Sequence, residues 1–205
     1  MRRRAAHPSG VRVIGLTGGI GMGKSTAAAA FRRARIPVFD ADAAVHALQA
    51  RGGRAVRPIA DAFPGTVRDG AVDREALRAA VLGRPDQLRR LERIVHPLVR
   101  REEAAFLARA RRAGARAVVL DIPLLFETGA DARVDFIVVA TAPRAVQIAR
   151  VRRRRGMTDP QIAAVLVRQT PDREKRRRAD LVVRTGLSRH YAQRTLRRLI
   201  GRLRR

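Results

Sequence analysis

The chain has 205 residues, of which 45 are Lys or Arg and 18 are Asp or Glu, so its formal net charge is +27. It has no Cys, no apolar run long enough to span a bilayer and no apolar stretch after its charged start, which favours a soluble cytoplasmic protein without disulfides. The charge alone does not predict specific nucleic-acid binding, because the basic residues are spread along the chain and only 6 Phe and 1 Tyr are available to stack on bases.

A glycine-rich loop between an apolar strand and a helix is the most informative stretch. Residues 11–26 are VRVIGLTGGIGMGKST, in which Gly18, Gly23, Lys24 and Ser25 match the phosphate-binding pattern G-x-x-x-x-G-K-[ST]. Glycines permit a tight turn and close approach to an anion, so backbone N–H groups and the positive end of the helix converge on phosphates. The motif predicts that Lys24 contacts the β- and γ-phosphates and that the Ser25 hydroxyl is a ligand of Mg²⁺.

Lysine is rare in this chain, which makes its use in the loop informative. Only Lys24 and Lys175 are lysines among the 45 basic residues. Where any cation suffices, the sequence has Arg. A lysine in the loop therefore favours a specific requirement for an ammonium group over a chance match.

The next elements predicted are a helix from Ser25 to Arg35, a break at Ile36-Pro37 and a short strand ending at Asp40. Asp40 and Asp42 then lie at the carboxyl end of that strand, the edge at which open α/β sheets bind ligands. One of these carboxylates is enough to cap the next predicted helix, Ala43 to Ala50. For the pair, an active-site role is the better explanation.

The segment from about 43 to 112 is mostly helical and interrupts the α/β alternation. Residues 52–70 predict a short helix between loops, Asp73 caps a helix that runs to Leu82, and Pro85 begins another helix. Within that last helix, His96-Pro97 predicts either a kink or a new helix starting at the proline. We expect the segment to form a helical subdomain inserted over the site.

Two more buried strands are predicted, Ala117 to Leu120 and Val134 to Ala140. Asp121, at the end of the first, is a candidate for helping to hold Mg²⁺, although a helix cap would have the same pattern. The apolar loop that follows, residues 123–127 with the sequence PLLFE, either plugs the core or lines a pocket.

An arginine run, VRRRRGMTDP at residues 151–160, joins two predicted helices, one starting at Pro143 and one capped by the Thr158-x-x-Gln161 pattern. In a phosphoryl-transfer enzyme such an element forms a mobile lid that brings arginines onto the phosphates and excludes water. The alternative is a solvated run of charge. A last strand at 181–183 and an amphipathic helix from His190 to Arg205 follow.

Taken together, these motifs resemble the dephospho-CoA kinase family of P-loop kinases. The resemblance is carried, in order from Val11 to about Leu199, by LTGGIGMGKST, the FDAD step, HPL, DIPLLFETG, the Q-x-x-R-x-x-x-R run from Gln147 to Arg154 and QTPDREKRRRADLVV. It implies an α/β fold with a parallel five-stranded sheet flanked by helices, an inserted helical substrate subdomain and a helical lid. The implied single domain, 1–205, has a core of about 11–42, 113–150 and 179–205, the subdomain at about 43–112 and the lid at about 151–178.

The activity implied by the resemblance is phosphorylation of the ribose 3′-hydroxyl of dephospho-CoA with ATP and Mg²⁺, the last step of coenzyme A synthesis. Asp42 matches the family's proposed base and Arg154 its lid arginine, and Lys24 completes the implied catalytic set. The candidate ATP-binding residues are Gly19, Gly21, Met22, Gly23, Lys24, Ser25, Thr26, Arg150 and Arg154. The candidate acceptor-binding residues are Asp42, His96, Pro123, Leu124 and Leu125, and the candidate metal ligands are Ser25 and Asp121.

Two positions depart from the family's pattern. Arg155 follows the lid arginine where the family often has an acidic or amide residue, so the sequence leaves open which arginine of 152–155 reaches the phosphates. Arg184-Thr185-Gly186 stands where the family commonly has an Asn before a Gly-containing turn, which leaves the adenine contacts open.

Two alternatives remain at the level of the sequence. A nucleoside or nucleotide kinase would share the phosphate loop and the lid, but it is not expected to have DIPLLFETG or the helical insertion. A nucleic-acid-binding protein with a degenerate nucleotide site would bind DNA with a steep salt dependence. The implied partners are small molecules only, namely ATP and dephospho-CoA.

Overall fold

A computed structural model describes residues 10–155, 157–167 and 169–204, except for the side chains of Arg154, Arg155, Pro160 and Arg189. The strands are β1 Arg12–Thr17, β2 Val38–Asp40, β3 Val67–Arg68, β4 Ala71–Val72, β5 Ala117–Asp121, β6 Phe136–Thr141 and β7 Leu181–Arg184. The helices are α1 Lys24–Arg33, α2 Ala41–Gln49, α3 Val56–Ala62, α4 Arg74–Val81, α5 Pro85–Arg112, α6 Arg144–Arg155, α7 Asp159–Val167, α8 Asp172–Arg178 and α9 Arg189–Arg204. A short 3₁₀ turn, Ala130–Arg133, lies between β5 and β6.

The chain divides into two compact units. The first unit comprises the chain up to Phe39 and from Leu107 onward, and the second is Asp40–Phe106. No helix in the described part of the chain is both long enough and apolar enough to span a membrane.

A five-stranded sheet forms the centre of the first unit, with the strand order β2-β5-β1-β6-β7. β1 pairs in parallel with β5 and β6, and β6 pairs in parallel with β7. The predicted parallel five-stranded sheet with flanking helices is thus confirmed. Every residue of β5 is buried, as expected for a strand covered on both faces, and this explains its continuous apolar run.

The register of the sheet determines what lies at its carboxyl edge. Leu16 of β1 is the partner of Asp121 in β5. Because parallel strands end at the same edge, the last residue of β5 lies beside the start of the glycine-rich loop that follows β1.

Helix α1 is held against the sheet by small and aromatic apolar residues. Ala27 and Ala28 are 1% and 0% exposed, so this side of the helix is shielded from water along its length. Phe31 of α1 and Leu196 of α9 belong to the same buried cluster as Ile14 of β1. This packing fixes the direction of α1 and therefore the position of its N-terminus.

The second unit has its own core and contains α2, α3, α4, much of α5 and the hairpin β3-β4. Its buried cluster includes Leu48, Ile59, Phe63, Leu77 and Val95. The predicted cap of α4 is confirmed, because the Asp73 carboxylate accepts the N–H groups of residues 75 and 76. The bond from the N–H of residue 76 is the main cause that lowers the pKa of this carboxyl.

The hairpin was not predicted from the sequence. Val67 pairs with Val72 and Arg68 with Ala71, which leaves a two-residue turn. In that turn Asp69 and Gly70 have φ angles of 50° and 74°, the left-handed values that a tight hairpin turn requires and that Asp-Gly readily adopts. The strands have two residues each, too short for an alternating pattern to be recognised.

Of the two alternatives predicted at Pro97, a kink or a new helix, the new helix is wrong. Helix α5 has 28 residues and continues through Pro97. A proline removes one backbone hydrogen bond from the helix. The neighbouring residue Val95 is 7% exposed and packs in the core of the second unit, which favours continuation of the helix at this point.

Candidate active site

The glycine-rich loop forms a tight turn between β1 and α1. The Met22 N–H donates to the Gly19 carbonyl over 3.1 Å, and the Thr26 N–H donates to the Gly23 carbonyl over 3.1 Å. Gly23 has φ 84°, and a Cβ at this position would lie 2.7 Å from Thr185 Oγ1, so no other residue fits without a shift. The predicted loop and its required glycine are therefore supported by both backbone angle and space.

Lys24 forms an ion pair with Asp121 at the carboxyl edge of the sheet. The Lys24 Nζ lies 2.5 Å from Asp121 Oδ1, and the two side chains are 18% and 5% exposed. The ammonium group is thus held at the end of the loop by an acid from the neighbouring strand. The structure brings together two of the residues that the sequence singled out.

The other predicted nucleotide-binding residues of the loop differ in the solvent exposure of their side chains. Ser25 and Thr26 are exposed in the first turn of α1. The Met22 side chain is 4% exposed, and its Sδ accepts the Ala142 N–H over 3.1 Å. The Met22 side chain therefore has a packing role.

Arg150 is bound to the chain just after β7 and to the glycine-rich loop. Its guanidinium donates to Thr185 Oγ1 over 2.9 Å, to the Thr185 carbonyl over 2.8 Å and to the Gly21 carbonyl over 3.4 Å. The Thr185 hydroxyl in turn donates to the Met22 carbonyl over 2.7 Å. The sequence singled out Thr185 only as a departure from the family pattern, and its role as a support of the loop was missed.

The lid arginines are only partly described. The side chain of Arg154 lies outside the described residues. Arg152 at the end of α6 pairs with Asp159 at the start of α7 over 2.6 Å, and this hydrogen bond is the main cause that raises the pKa of the guanidinium. The predicted cap of α7 is present, since the Thr158 N–H donates to Gln161 Oε1 over 3.0 Å.

The apolar loop after β5 both fills the core and reaches the surface. Leu125 is 0% exposed, and a Cβ at Gly15 would lie 3.1 Å from its side chain. Leu124 is 41% exposed, and the Pro123 carbonyl accepts a hydrogen bond from Thr17 Oγ1 over 3.0 Å. Of the three predicted acceptor-binding residues here, Leu124 and the half-buried Pro123 have exposed side-chain surface, whereas Leu125 is buried.

A second acid-lysine pair lies beyond that loop and was not predicted. Glu127 Oε1 is 2.9 Å from Lys175 Nζ and accepts the Thr170 N–H over 2.8 Å. Burial acts to raise the pKa of Glu127, but Lys175 and the Thr170 N–H outweigh it, so the pKa lies below its ordinary value. The only advance signal was that Lys175 is one of two lysines among 45 basic residues.

Three further predicted residues belong to the second unit. Asp40 caps α2, since its Oδ1 accepts the Ala43 N–H over 3.1 Å. Asp42 is exposed in the first turn of the same helix, and His96 is exposed on α5. The sequence left open which of the two acids is the cap, and the structure assigns that role to Asp40.

The oxygen donors at the sheet edge suit a hard cation. Ser25 offers a hydroxyl and Asp121 a carboxylate, the kinds of ligand that Mg²⁺ uses. Within the described part of the chain there is no group of three or more His, Cys, Asp and Glu that could hold a metal ion by itself. Mg²⁺ commonly takes one or two protein oxygens and completes its shell with phosphates and water, so this sparse donor set fits it.

Comparison with known proteins agrees with this geometry. A family model described as CoaE: Dephospho-CoA kinase matches residues 12–189. The chain is 61% identical over 166 residues to a dephospho-CoA kinase of Paramagnetospirillum magneticum, covering 81% of this chain and 78% of that protein. It is 52% identical over 198 residues to a dephospho-CoA kinase of Gluconobacter oxydans, covering 95% of this chain and 98% of that one.

Solved structures show the same fold. A crystal structure from Thermus thermophilus superimposes with a TM-score of 0.83 at 37% identity, covering 94% of this chain and 98% of that one. A dephospho-CoA kinase from Campylobacter jejuni has a TM-score of 0.63 at 19% identity, covering 94% of this chain and 97% of that one. With the family model and the relatives above, these findings show that the chain belongs to the dephospho-CoA kinase family, ATP-using phosphotransferases that act at the last step of coenzyme A synthesis.

Proposed function

We propose that this chain transfers the γ-phosphoryl group of ATP to the ribose 3′-hydroxyl of dephospho-CoA, with the loop of residues 18–25 as the phosphate site. The observation that carries this assignment is the position of Lys24, whose ammonium lies beside Asp121 at the end of a loop that caps α1. Phosphoryl transfer needs positioning and charge stabilisation more than covalent chemistry, and such a site supplies both.

Within the loop, each residue type has a separate task. The N–H groups at the start of α1 bind the β-phosphate, and the helix N-terminus adds its positive potential. When the nucleotide binds, the Lys24 ammonium leaves Asp121 and contacts the β- and γ-phosphates, because a flexible side chain can move to the stronger negative charge. Thr26 is exposed in the first turn of the same helix, and we propose that it contacts the nucleotide.

Ser25 and Asp121 are the residues that would hold Mg²⁺. Bound there, the ion supplies neutralisation of the phosphate charge that builds up in the transition state. Asp121 would then serve two positive partners in turn, Lys24 in the free protein and the metal in the complex.

Asp42 is proposed as the base that orients the acceptor hydroxyl and accepts its proton. The support is that Asp40 already provides the cap of α2, so the exposed carboxylate of Asp42 is not needed for the helix. His96, Pro123 and Leu124 are proposed to flank the acceptor, with Leu125 beneath the last two. These assignments follow the match between this sequence and the family's motifs.

Arg154 is proposed as the lid arginine that contacts the transferring phosphoryl group. Arg150, one helical turn earlier, is held by Thr185 against the loop and so supplies positive charge at a fixed place next to the phosphates. A fixed and a mobile arginine together would stabilise charge and exclude water.

The proposed organisation is one kinase domain with the inserted segment 43–112 as the acceptor-binding part and residues 151–178 as the lid. The proposed partners are ATP and dephospho-CoA, without a specific nucleic acid. The absence of Cys from the sequence fits a reducing compartment, and we place the reaction in the cytoplasm.

Two matched substitutions test the role of Asp42. Asp42→Asn keeps the shape of the side chain but cannot accept the proton, so kcat should fall by about two to four orders of magnitude while ATP affinity stays nearly unchanged. Asp40→Asn keeps an oxygen that can cap α2 and should retain most of the activity. Steady-state kinetics with ATP and dephospho-CoA provide the measurement. Normal kcat in Asp42→Asn with loss in Asp40→Asn would reverse the assignment, and activity in both would exclude a carboxylate base here.

A further inference from the structure

Two glutamine side chains hold one residue of the phosphate loop by both of its backbone groups. The Ile20 N–H donates to Gln169 Oε1 over 3.2 Å, and the Ile20 carbonyl accepts from Gln147 Nε2 over 2.8 Å. A Cβ at Gly19 would lie 3.2 Å from Gln169 Oε1 and 3.4 Å from Gln147 Nε2. The two side-chain amides therefore lie against the loop at Gly19 and Ile20.

One glutamine precedes the proposed lid, residues 151–178, in the sequence, and the other lies within it. Gln147 lies in α6, before the arginine run, and is only 2% exposed. Gln169 follows α7, directly before the segment that leads into α8. The chain before the arginine run and the chain after α7 are thus both tied to the same loop residue.

The segment that carries Gln169 is itself firmly attached to the sheet. The N–H of Thr170 donates to Glu127, which also pairs with Lys175. The Thr141 hydroxyl at the end of β6 lies 2.9 Å from each oxygen of Asp172. Gln169 is therefore presented to the loop from a fixed base, while Gln147 is fixed by its burial in α6.

These contacts bear on nucleotide binding because they orient peptide units next to the phosphate site. Ile20 precedes the residues whose N–H groups face the phosphates, and both of its own backbone groups are taken up by the amides. A loop whose peptide groups are already oriented has a smaller free-energy cost of reorganisation when an anion binds. The same bonds connect the shape of the loop to α6 and to the segment after α7.

We propose that Gln147 and Gln169 are positioning residues that jointly hold the phosphate loop in its nucleotide-binding shape through Ile20 and link that shape to the lid. This rests on the proposed function, since it concerns the same phosphate site. The polarity of the two amides differs: Gln147 acts as donor and Gln169 as acceptor. That difference allows a test with one and the same substitution at both positions.

The test compares Gln147→Glu with Gln169→Glu in the full chain. Both add one negative charge near the loop. Only Gln169→Glu keeps an oxygen that accepts the Ile20 N–H, whereas Gln147→Glu sets an oxygen against the Ile20 carbonyl. ATP affinity, measured by calorimetry without acceptor, and kcat/KM for ATP should therefore be at least about tenfold lower in Gln147→Glu than in Gln169→Glu, the loss expected for one hydrogen bond.

Uncharged variants test whether the two residues act jointly. Gln147→Met and Gln169→Met should each lower kcat/KM for ATP about tenfold. The double variant should lose clearly less than the product of the single losses, because Ile20 is already released by either one. Thermal unfolding midpoints in the absence of nucleotide should stay within a few degrees of the unsubstituted protein, which separates positioning from loss of the fold.

Equal losses in the two Glu variants, multiplicative losses in the double Met variant, or normal ATP affinity in both single Met variants would overturn the proposal. If Gln147→Met does not fold, the two substitutions at the half-buried Gln169 decide the matter: Gln169→Met must lose more ATP affinity than Gln169→Glu. Because the calorimetry uses ATP alone, it remains informative even if the unsubstituted protein does not phosphorylate dephospho-CoA. Failure to phosphorylate dephospho-CoA would contradict the proposed function, but not the proposed role of Gln147 and Gln169.

Discussion

Each of the only two lysines of the chain pairs with an acidic residue. Lys24 pairs with Asp121 and Lys175 with Glu127, and both acids lie at the end of β5 or in the loop after it. Lys175 is 1% exposed, so its ammonium group contacts Glu127 in a buried place. A compact ammonium on a flexible stem can reach a single carboxylate in such a place as a point charge. Both lysines of this arginine-rich chain pair with an acid in this way.

The Glu127–Lys175 pair leads to a prediction about the pH dependence of stability. The pKa of Glu127 is lower in the folded chain than the ordinary value of about 4.3. Its contribution is therefore fully present above that ordinary value and is lost as the pH falls through the lowered folded value. Glu127→Gln, which leaves Lys175 buried without its counter-charge, should reduce the free energy of unfolding by about 3 kcal/mol at pH 7.

The matched measurement is denaturant unfolding of both proteins at neutral and acidic pH. The difference in free energy should shrink below about pH 4, because the unsubstituted protein then loses the same charge. The double variant Glu127→Gln with Lys175→Met should recover much of the loss, since no buried charge remains. A difference that is independent of pH would show that the charge of Glu127 does not stabilise the fold.

At the scale of single elements, the lid makes the sharpest prediction. Arg154→Ala should lower kcat by more than about a hundredfold, the effect of losing a charge contact made in the transition state. Arg153→Ala removes a neighbouring exposed cation of α6 and should be nearly silent. Single-turnover kinetics with ATP and dephospho-CoA separate the chemical step from product release. Similar small effects at both positions would identify the run as a solvated basic surface.

Arg152 provides a second control with a known contact. Its pair with Asp159 joins α6 to α7, but both side chains are more than half exposed, at 57% and 65%. Exposed pairs contribute little, so Arg152→Ala should change the unfolding midpoint slightly and the chemical step hardly at all.

The elements that were predicted from sequence are those with a strong local signal. The buried strands follow from apolar runs, and α4 follows from the Asp73 cap. Helix α8 was not predicted, because six of its seven residues, DREKRRR, are solvent-compatible charges around the buried Lys175. Lys175 of this helix pairs with Glu127, and no local pattern reveals such a partner.

At the scale of the whole molecule, candidate site residues were easier to predict from the sequence than the contacts that these residues make. The phosphate loop, the buried strands and the acid at the end of β5 were predictable, because each follows from a motif or from a local apolar pattern. The contacts of Arg150 with Thr185 and of both glutamines with Ile20 join residues at least 35 positions apart. Such contacts depend on the assembled fold, and a single sequence does not specify them.

The high positive charge is likewise a property of the whole molecule. Both proposed substrates are anions, and a net charge of +27 attracts them without needing a dedicated surface. Spread over the chain, this charge is expected to assist encounter with substrate and to lose that influence as salt increases.

The most direct test is to incubate the protein with ATP and Mg²⁺ and, in parallel, with dephospho-CoA, adenosine, pantetheine phosphate or CMP, and to identify the phosphorylated product. We expect product from dephospho-CoA at a kcat/KM at least about a hundredfold above the others, with the new phosphate on the ribose 3′-oxygen. Lys24→Ala should remove this activity, since the loop then lacks its phosphate cation. Faster turnover of another acceptor, a phosphate at a different position, or activity of Lys24→Ala within about tenfold of the unsubstituted protein would contradict the account.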